Sequence, residues 1–275
     1  MAEEEVVAKD DLSDGYTEDI SDDKLLDEEE IEDSDELFDF LILEGALSHD
    51  ASLIQKFHTS FEHTLDTLAS RAKYIICAGS CASFGGIFRL QDTKRISGAL
   101  FSGKEKGGYW SEKENVINLP GCPLHPRWLV DTLLLLHHGE KVSLDAFLRP
   151  KEIYAYLVHH GCLRNEYFEW KVDSKKLGEK EGCLYYEHGC QGPMTHANCN
   201  KILWNGVSSK TRAGSPCLGC TEFDFPRRSL YETQTNMSLP QTPVGISKRA
   251  YYTLAGVAKS FKIERLERKL MDEDN

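Results

Sequence analysis

No apolar run in this chain approaches the roughly 20 residues needed to cross a bilayer. The longest, Trp128 to Leu136, is short and contains Asp131. A membrane anchor is therefore not expected. Nor is a secretory leader, because Met1-Ala2-Glu3-Glu4-Glu5 is acidic rather than basic and then apolar. A basic stripe with interleaved aromatics is missing, which argues against a nucleic-acid partner. Neither Gly-x4-Gly-Lys-Ser/Thr nor Gly-x-Gly-x2-Gly occurs after a strand-like run. Gly79-x5-Gly85-Gly86 fits neither pattern, so a nucleotide site is not expected. Cysteine is absent before Cys77 and then occurs nine times. An odd count with no leader speaks against a secreted disulfide framework. It fits metal or redox chemistry in a reducing, cytoplasmic compartment.

What is present is unevenly distributed. The 275 residues leave room for one large or two small domains, and 40% hydrophobic content is ordinary for a globular protein. The net charge of −13 belongs to one end. Residues 1–40 hold 19 Asp and Glu against Lys9 and Lys24, a net −17, so the rest of the chain sums to +4. Residues 1–36 read as a disordered acidic tail, unable to bury enough apolar surface to fold alone.

Three apolar runs, Leu37–Leu43, Tyr74–Ala78 and Val116–Leu119, read as buried strands. Between the first two, Leu53, Ile54, Phe57, Phe61, Leu65 and Leu68 recur at helical spacing over Ser52–Arg71. The second strand runs into a small-residue loop, Gly79–Gly86. The third runs into Pro120-Gly121-Cys122-Pro123, and Pro126 opens a helix to about His138. This is the pattern of an open parallel α/β sheet, whose ligands sit at the C-terminal strand ends. Glu44, Cys81 and Cys122 fall at those ends, whereas Cys77 lies inside a strand and reads as core. From about residue 150 loops dominate, with Glu152–Val158 expected as a strand. A Thr/Gln/Pro-containing stretch over 233–243 and an amphipathic helix from about Lys248 follow.

The densest chemistry lies between His159 and Cys220. His159, Cys162, Cys183, Cys190, Cys199, Cys217 and Cys220 fall within this stretch among many Gly and Pro turn-formers. Such an array suits soft metals, and thiolates converging from loops, with His as a permitted substitute, are what iron–sulfur clusters need. Cys217-x2-Cys220 would also serve as half of a zinc site, but a second tight pair is absent and two closed zinc sites need eight ligands. The seven donors divide into a four-member set (His159, Cys162, Cys183, Cys190) and a three-member set (Cys199, Cys217, Cys220). These suit a [4Fe–4S] and a [3Fe–4S] cluster, and adjacent clusters imply electron transfer.

His159-x2-Cys162, Gly182-Cys183-Leu184-Tyr185, Gly189-Cys190-Gln191-Gly192-Pro193-Met194-Thr195, Asn198-Cys199, Trp204-Asn205 and Ala213–Glu222 together resemble the small subunit of nickel–iron hydrogenases. Gly79–Gly86 and Pro120–Pro123 match that family's upstream pattern, so the resemblance covers roughly residues 38–260. Val207–Arg212, Thr233-Gln234-Thr235 and Lys248–Tyr251 look most like its cytosolic uptake and hydrogen-sensing branch.

The resemblance implies a flavodoxin-like α/β domain (37–150), a loop-rich medial and distal cluster domain (151–245) and a C-terminal amphipathic helix (246–275). It implies that Cys81 and Cys122 are proximal ligands. His159, Cys162, Cys183 and Cys190 would hold a distal [4Fe–4S] cluster, and Cys199, Cys217 and Cys220 a medial cluster, [3Fe–4S] or [4Fe–4S]. The partners it implies are a large subunit bearing the nickel–iron centre and a redox acceptor protein. The family's first strand ends in a Cys-x-Gly-Cys-type loop that this sequence lacks. The proximal cluster is therefore expected to be completed by a small second polypeptide, or to be altered or missing. A hydrogen sensor and a zinc-stabilised interaction module stand as alternative readings.

Overall fold

A computed structural model of the chain describes residues 36–50 and 61–227. The acidic tail, the first part of the Ser52–Arg71 helix, the 233–243 stretch and the terminal helix lie outside the described residues.

Strand β1 (Phe38–Glu44), helix α1 (Phe61–Arg71), strand β2 (Ala72–Ala78), helices α2 (Gly79–Phe84) and α3 (Gly86–Arg89), and a small hairpin of β3 (Phe101–Ser102) and β4 (Glu105–Lys106) come first. Strand β5 (Val116–Leu119), helix α4 (Pro126–His137), helix α5 (Lys151–Tyr154) and helix α6 (Asn165–Glu169) follow. Two 3₁₀ turns, Val158–Gly161 and Gly192–Met194, carry the chain through its second half. The sheet is parallel, in the order β1-β2-β5, with Leu43 opposite Cys77 and Ile76 opposite Ile117. This is the expected mixed α/β architecture. A parallel strand covered on both faces reads as a continuous apolar run, and all four residues of β5 are buried.

Each face of the sheet has its own core. On one side Leu65 and Ala69 of α1 pack with Leu43, Ile75, Cys77 and Phe84, and the Trp110 indole N–H donates to Asp66 at 2.7 Å. On the other, Ile76, Ile117 and Leu119 meet Trp128 and Leu136 of α4 and then Tyr154, Leu184, Cys190 and Cys217 of the loop-rich half. The two halves are therefore packed on one core. Arg149 fastens them further: its guanidinium pairs with Asp145 at 2.8 Å and donates to the Thr221 carbonyl at 3.0 Å, one residue past Cys220.

Two local expectations are corrected. Gly79–Gly86 is not an open loop but two short helices meeting at Gly85, whose N–H closes on the Cys81 carbonyl at 2.8 Å. Ser80, Ala82, Ser83 and Phe84 are buried there, so small residues serve packing rather than looseness. Glu152–Val158 is not a strand. The Pro150 carbonyl accepts from Ile153 and Tyr154, starting a helical turn that buries both side chains. Proline supplies the backbone angle needed to enter it. Only Leu157 pairs in the extended sense, with His196.

Candidate metal centre

The loop-rich half gathers the seven donors into two neighbouring cavities. The smaller is lined by His159, Cys162, Cys183 and Cys190, together with Arg164 and Phe168. His159 rides on the first 3₁₀ turn, whose C-cap is Cys162. Its ring lies edge-on to Phe168, with centroids 4.4 Å apart. Cys183 is fixed by backbone on both sides: its N–H donates to the Val172 carbonyl at 2.7 Å and its carbonyl accepts from Ser174 at 2.9 Å. Cys190 is fixed by its N–H to the Leu184 carbonyl at 3.0 Å.

The larger cavity, about 380 Å³, is lined by Cys199, Cys217 and Cys220, by Cys122, and by His125, Trp128, Trp204 and Lys210. A buried polar knot shapes one wall. Asn200 donates to the Val158 carbonyl at 2.8 Å and accepts from the Ser209 and Thr211 hydroxyls. On another wall the His125 ring sits between Trp128 and Trp204, at centroid distances of 5.2 and 4.7 Å.

The two sets touch. The Cys190 sulfur accepts from the Gly192 N–H at 3.4 Å and from the Cys217 N–H at 3.2 Å, so a backbone donor of one set bonds a sulfur of the other. The Tyr185 N–H donates to the Cys183 sulfur at 3.4 Å. Burial dominates the thiols: it pushes Cys183 and Cys190 up to about 11, and Cys199 and Cys217 up to about 12. Burial, then the neighbouring His160, lowers the His159 pKa and favours the neutral imidazole that binds metal.

Cys81, on helix α2, and Cys122, on the loop after β5, lie at the C-terminal ends of β2 and β5, on segments joined by reciprocal bonds. Ser80 N–H donates to the Gly121 carbonyl at 3.1 Å, and Gly121 N–H donates to the Ser80 hydroxyl at 3.0 Å. The same hydroxyl donates to the Cys220 carbonyl. The Cys81 thiol, raised by burial, is countered by the Ile87 and Phe88 N–H groups. Gly86 makes room for it, because a Cβ there would lie 2.6 Å from the Cys81 sulfur. Cys122 faces the larger cavity, whereas Cys81 is not among its lining residues. Glu44 ends β1. Cys77 is fully buried in the core, as read from the sequence, with its thiol pushed up to about 12.

The fit of iron–sulfur clusters differs between the cavities. The larger has the volume, three or four soft donors, and an orphaned buried Trp128 Nε1–H on a residue of its wall. The smaller has the right donors but only about 20 Å³, little more than one water occupies, so its side chains must part. Among the described residues, no three His, Cys, Asp or Glu are close enough to hold a single metal ion.

Sequence reading missed Ser80 and Arg164. Nothing in the primary structure marks a serine as the link between three cysteine loops, or an arginine near Cys162 as buried. Their roles arise from contacts between segments distant in sequence.

Comparison with known proteins gives one consistent answer. Residues 154–232 match the family described as NiFe/NiFeSe hydrogenase small subunit, C-terminal, and residues 7–136 match that of the NADH ubiquinone oxidoreductase 20 kDa subunit. The chain is 37% identical over 171 residues to the periplasmic [NiFe] hydrogenase small subunit of Solidesulfovibrio fructosivorans, covering 59% of this chain and 50% of that one. It is 32% identical over 212 residues to the F420 non-reducing hydrogenase I small subunit of Methanosarcina mazei, covering 69% and 54%. The chain thus spans about half the length of the curated relatives it matches. Among solved structures, the actinobacterial-type NiFe-hydrogenase from Ralstonia eutropha H16 aligns with a TM-score of 0.61 and 25% identity over 86% of this chain and 70% of that one. The [NiFeSe] hydrogenase from Desulfovibrio vulgaris Hildenborough aligns at 0.54 and 30% identity over 68% and 71%.

Proposed function

The chain belongs to the nickel–iron hydrogenase small-subunit family, and from that premise we propose that it relays electrons for a hydrogen-oxidising complex. The nickel–iron centre resides on a separate large subunit, and the electrons pass to a redox partner. The observation that carries the reading is the contact of the two soft-donor sets, Cys217 N–H to Cys190 sulfur at 3.2 Å.

An iron–sulfur cluster, when bound, supplies reversible one-electron chemistry. His159, Cys162, Cys183 and Cys190 hold the distal four-iron cluster, and Cys199, Cys217 and Cys220 hold the medial one. Cys81 and Cys122 offer two thiols toward a proximal site. With Cys77 in the core, no cysteine of this sequence remains to complete that site. The chain's own contribution is threefold. It buries Cys183, Cys190 and Cys217 away from water, it aims N–H donors at the Cys183 and Cys190 sulfurs, and it favours neutral His159. Donors to the sulfurs and replacement of one thiolate by imidazole both raise a cluster's potential. The Val207–Arg212 motif supports placing the protein in the cytosolic uptake and sensing branch.

The test is iron, acid-labile sulfide and zinc per chain in the complex purified without oxygen, with EPR before and after exposure to H2. Roughly seven irons correspond to the distal and medial clusters, and about ten or eleven to a third. H2 should reduce them. Zinc without iron would overturn the reading.

A further inference from the structure

Arg164 is 4% exposed, yet all its hydrogen bonds go to neutral carbonyl oxygens. Nε donates to Thr211 at 2.8 Å, Nη1 donates to Glu181 at 3.0 Å and Gly182 at 2.7 Å, and Nη2 donates to Glu179. None of the described residues places a carboxylate in ion-pair range of it. The carboxylate of Glu179, whose backbone carbonyl accepts from Nη2, is occupied by the Ser174 hydroxyl and the N–H groups of Lys175 and Lys176. A buried cation without an opposite charge is costly, and proteins rarely keep one unless something nearby supplies that charge. Arg164 lines the cavity of His159, Cys162, Cys183 and Cys190.

We propose that Arg164 is the counter-ion of the distal site and sets its redox potential. This rests on the reading above, in which that site holds a four-iron cluster. Three thiolates bring negative charge into the cavity, the cationic iron–sulfide core would cancel most of it, and His159, as the fourth donor, brings none, so the loaded site keeps a residual negative charge. The guanidinium offsets part of that charge. Reduction adds one more negative charge, and a fixed positive charge in a poorly solvated pocket favours the more negative state. Arg164 therefore raises the potential of the distal site and eases arrival of an electron there. It touches no reacting atom, so it is a positioning and tuning residue. Three of its four carbonyl contacts also hold Glu179–Gly182, the segment entering Cys183, and that second role must be separated from the charge.

Two variants separate them. Arg164→Lys keeps the charge and loses the planar fork, whereas Arg164→Gln keeps a donor and loses the charge. The measurement is an EPR-monitored redox titration of the anaerobically purified complex, with iron counted in each sample. The expected result is a lower distal potential in Arg164→Gln, a near-native one in Arg164→Lys, and an unmoved medial signal in both. A distal potential unchanged in Arg164→Gln, or shifted equally in both variants, overturns the proposal. Should Arg164→Gln lose the distal irons, their retention in Arg164→Lys supports the charge role and their loss from both overturns it. If the wild-type complex itself shows no distal cluster, the functional reading falls, and the charge proposal falls with it.

Discussion

The Ser80 hydroxyl accepts from Gly121, one residue before Cys122, and donates to the carbonyl of Cys220. It lies at a 2% exposed position, so water has little access to replace it. Ser80→Ala leaves one N–H and one carbonyl without this partner, which costs about 1–3 kcal/mol when neither finds a substitute. The position of the loss matters more than its size. The proximal-side loops and the Cys220 loop would lose the hydroxyl they share. Ser80→Ala should lower unfolding stability and broaden or shift the medial EPR signal while leaving the distal one in place. Ser80→Thr should restore both, since it returns the hydroxyl. A variant with native stability and an unmoved medial signal would show that the hydroxyl has no positioning role.

Helix α4 shows how an element reaches the chemistry. Pro126 sets its first turn, His125 caps it by accepting from Arg127 N–H at 3.2 Å, and Trp128, Thr132 and Leu136 recur every four residues on its buried face. Trp128 then meets Tyr154 edge-on at 5.4 Å and forms part of the larger cavity's wall. Trp128→Ala should cost about 3–5 kcal/mol. It should also release iron from the Cys199, Cys217 and Cys220 site faster than from the His159 site, followed by the two EPR signals during chelation. Equal release from both sites would mean that α4 supports the fold but not that cavity. This helix was legible from Pro126 onward because its spacing is strict, and the three strands were legible as apolar runs. The expectation that Leu37–Leu43 is a buried strand is corrected: β1 lies at the sheet edge, buries only Leu43 and leaves Ile42 exposed, whereas β5 is buried throughout. The Glu152–Val158 segment was misread because Ile153 and Tyr154 are buried by one helical turn, too short to show a period. The sequence divided His159, Cys162, Cys183 and Cys190 from Cys199, Cys217 and Cys220, and the same two groups line the two cavities. It could not reveal that Cys122 lines the same cavity as Cys199, Cys217 and Cys220, because that depends on how the β5 loop meets the Cys220 loop across a tertiary contact.

At the scale of the whole molecule, the buried thiols link metal uptake to pH. Cys183 and Cys190 are raised to about 11, and Cys199 and Cys217 to about 12, mainly by burial. At pH 7 the metal-free fold therefore keeps these four protonated, and each must shed its proton to bind iron as thiolate. Loading should release about four protons per chain from this group, and affinity should rise with pH. Fold stability moves the other way in the metal-free form. In the unfolded chain these thiols ionise near their ordinary value of 9. Their folded pKa values are higher, so their contribution to stability is complete below about pH 9 and is lost as pH climbs toward 11–12. In the loaded form the thiolates are already iron-bound and have no proton to lose. The difference in melting temperature between loaded and metal-free protein should therefore widen from pH 7 to pH 10. It can be followed by calorimetry of both forms under anaerobic conditions, with proton release read from a weakly buffered indicator during reconstitution. A constant difference over that range, with no protons released on loading, would mean that these four sulfurs are not the groups that take up the metal.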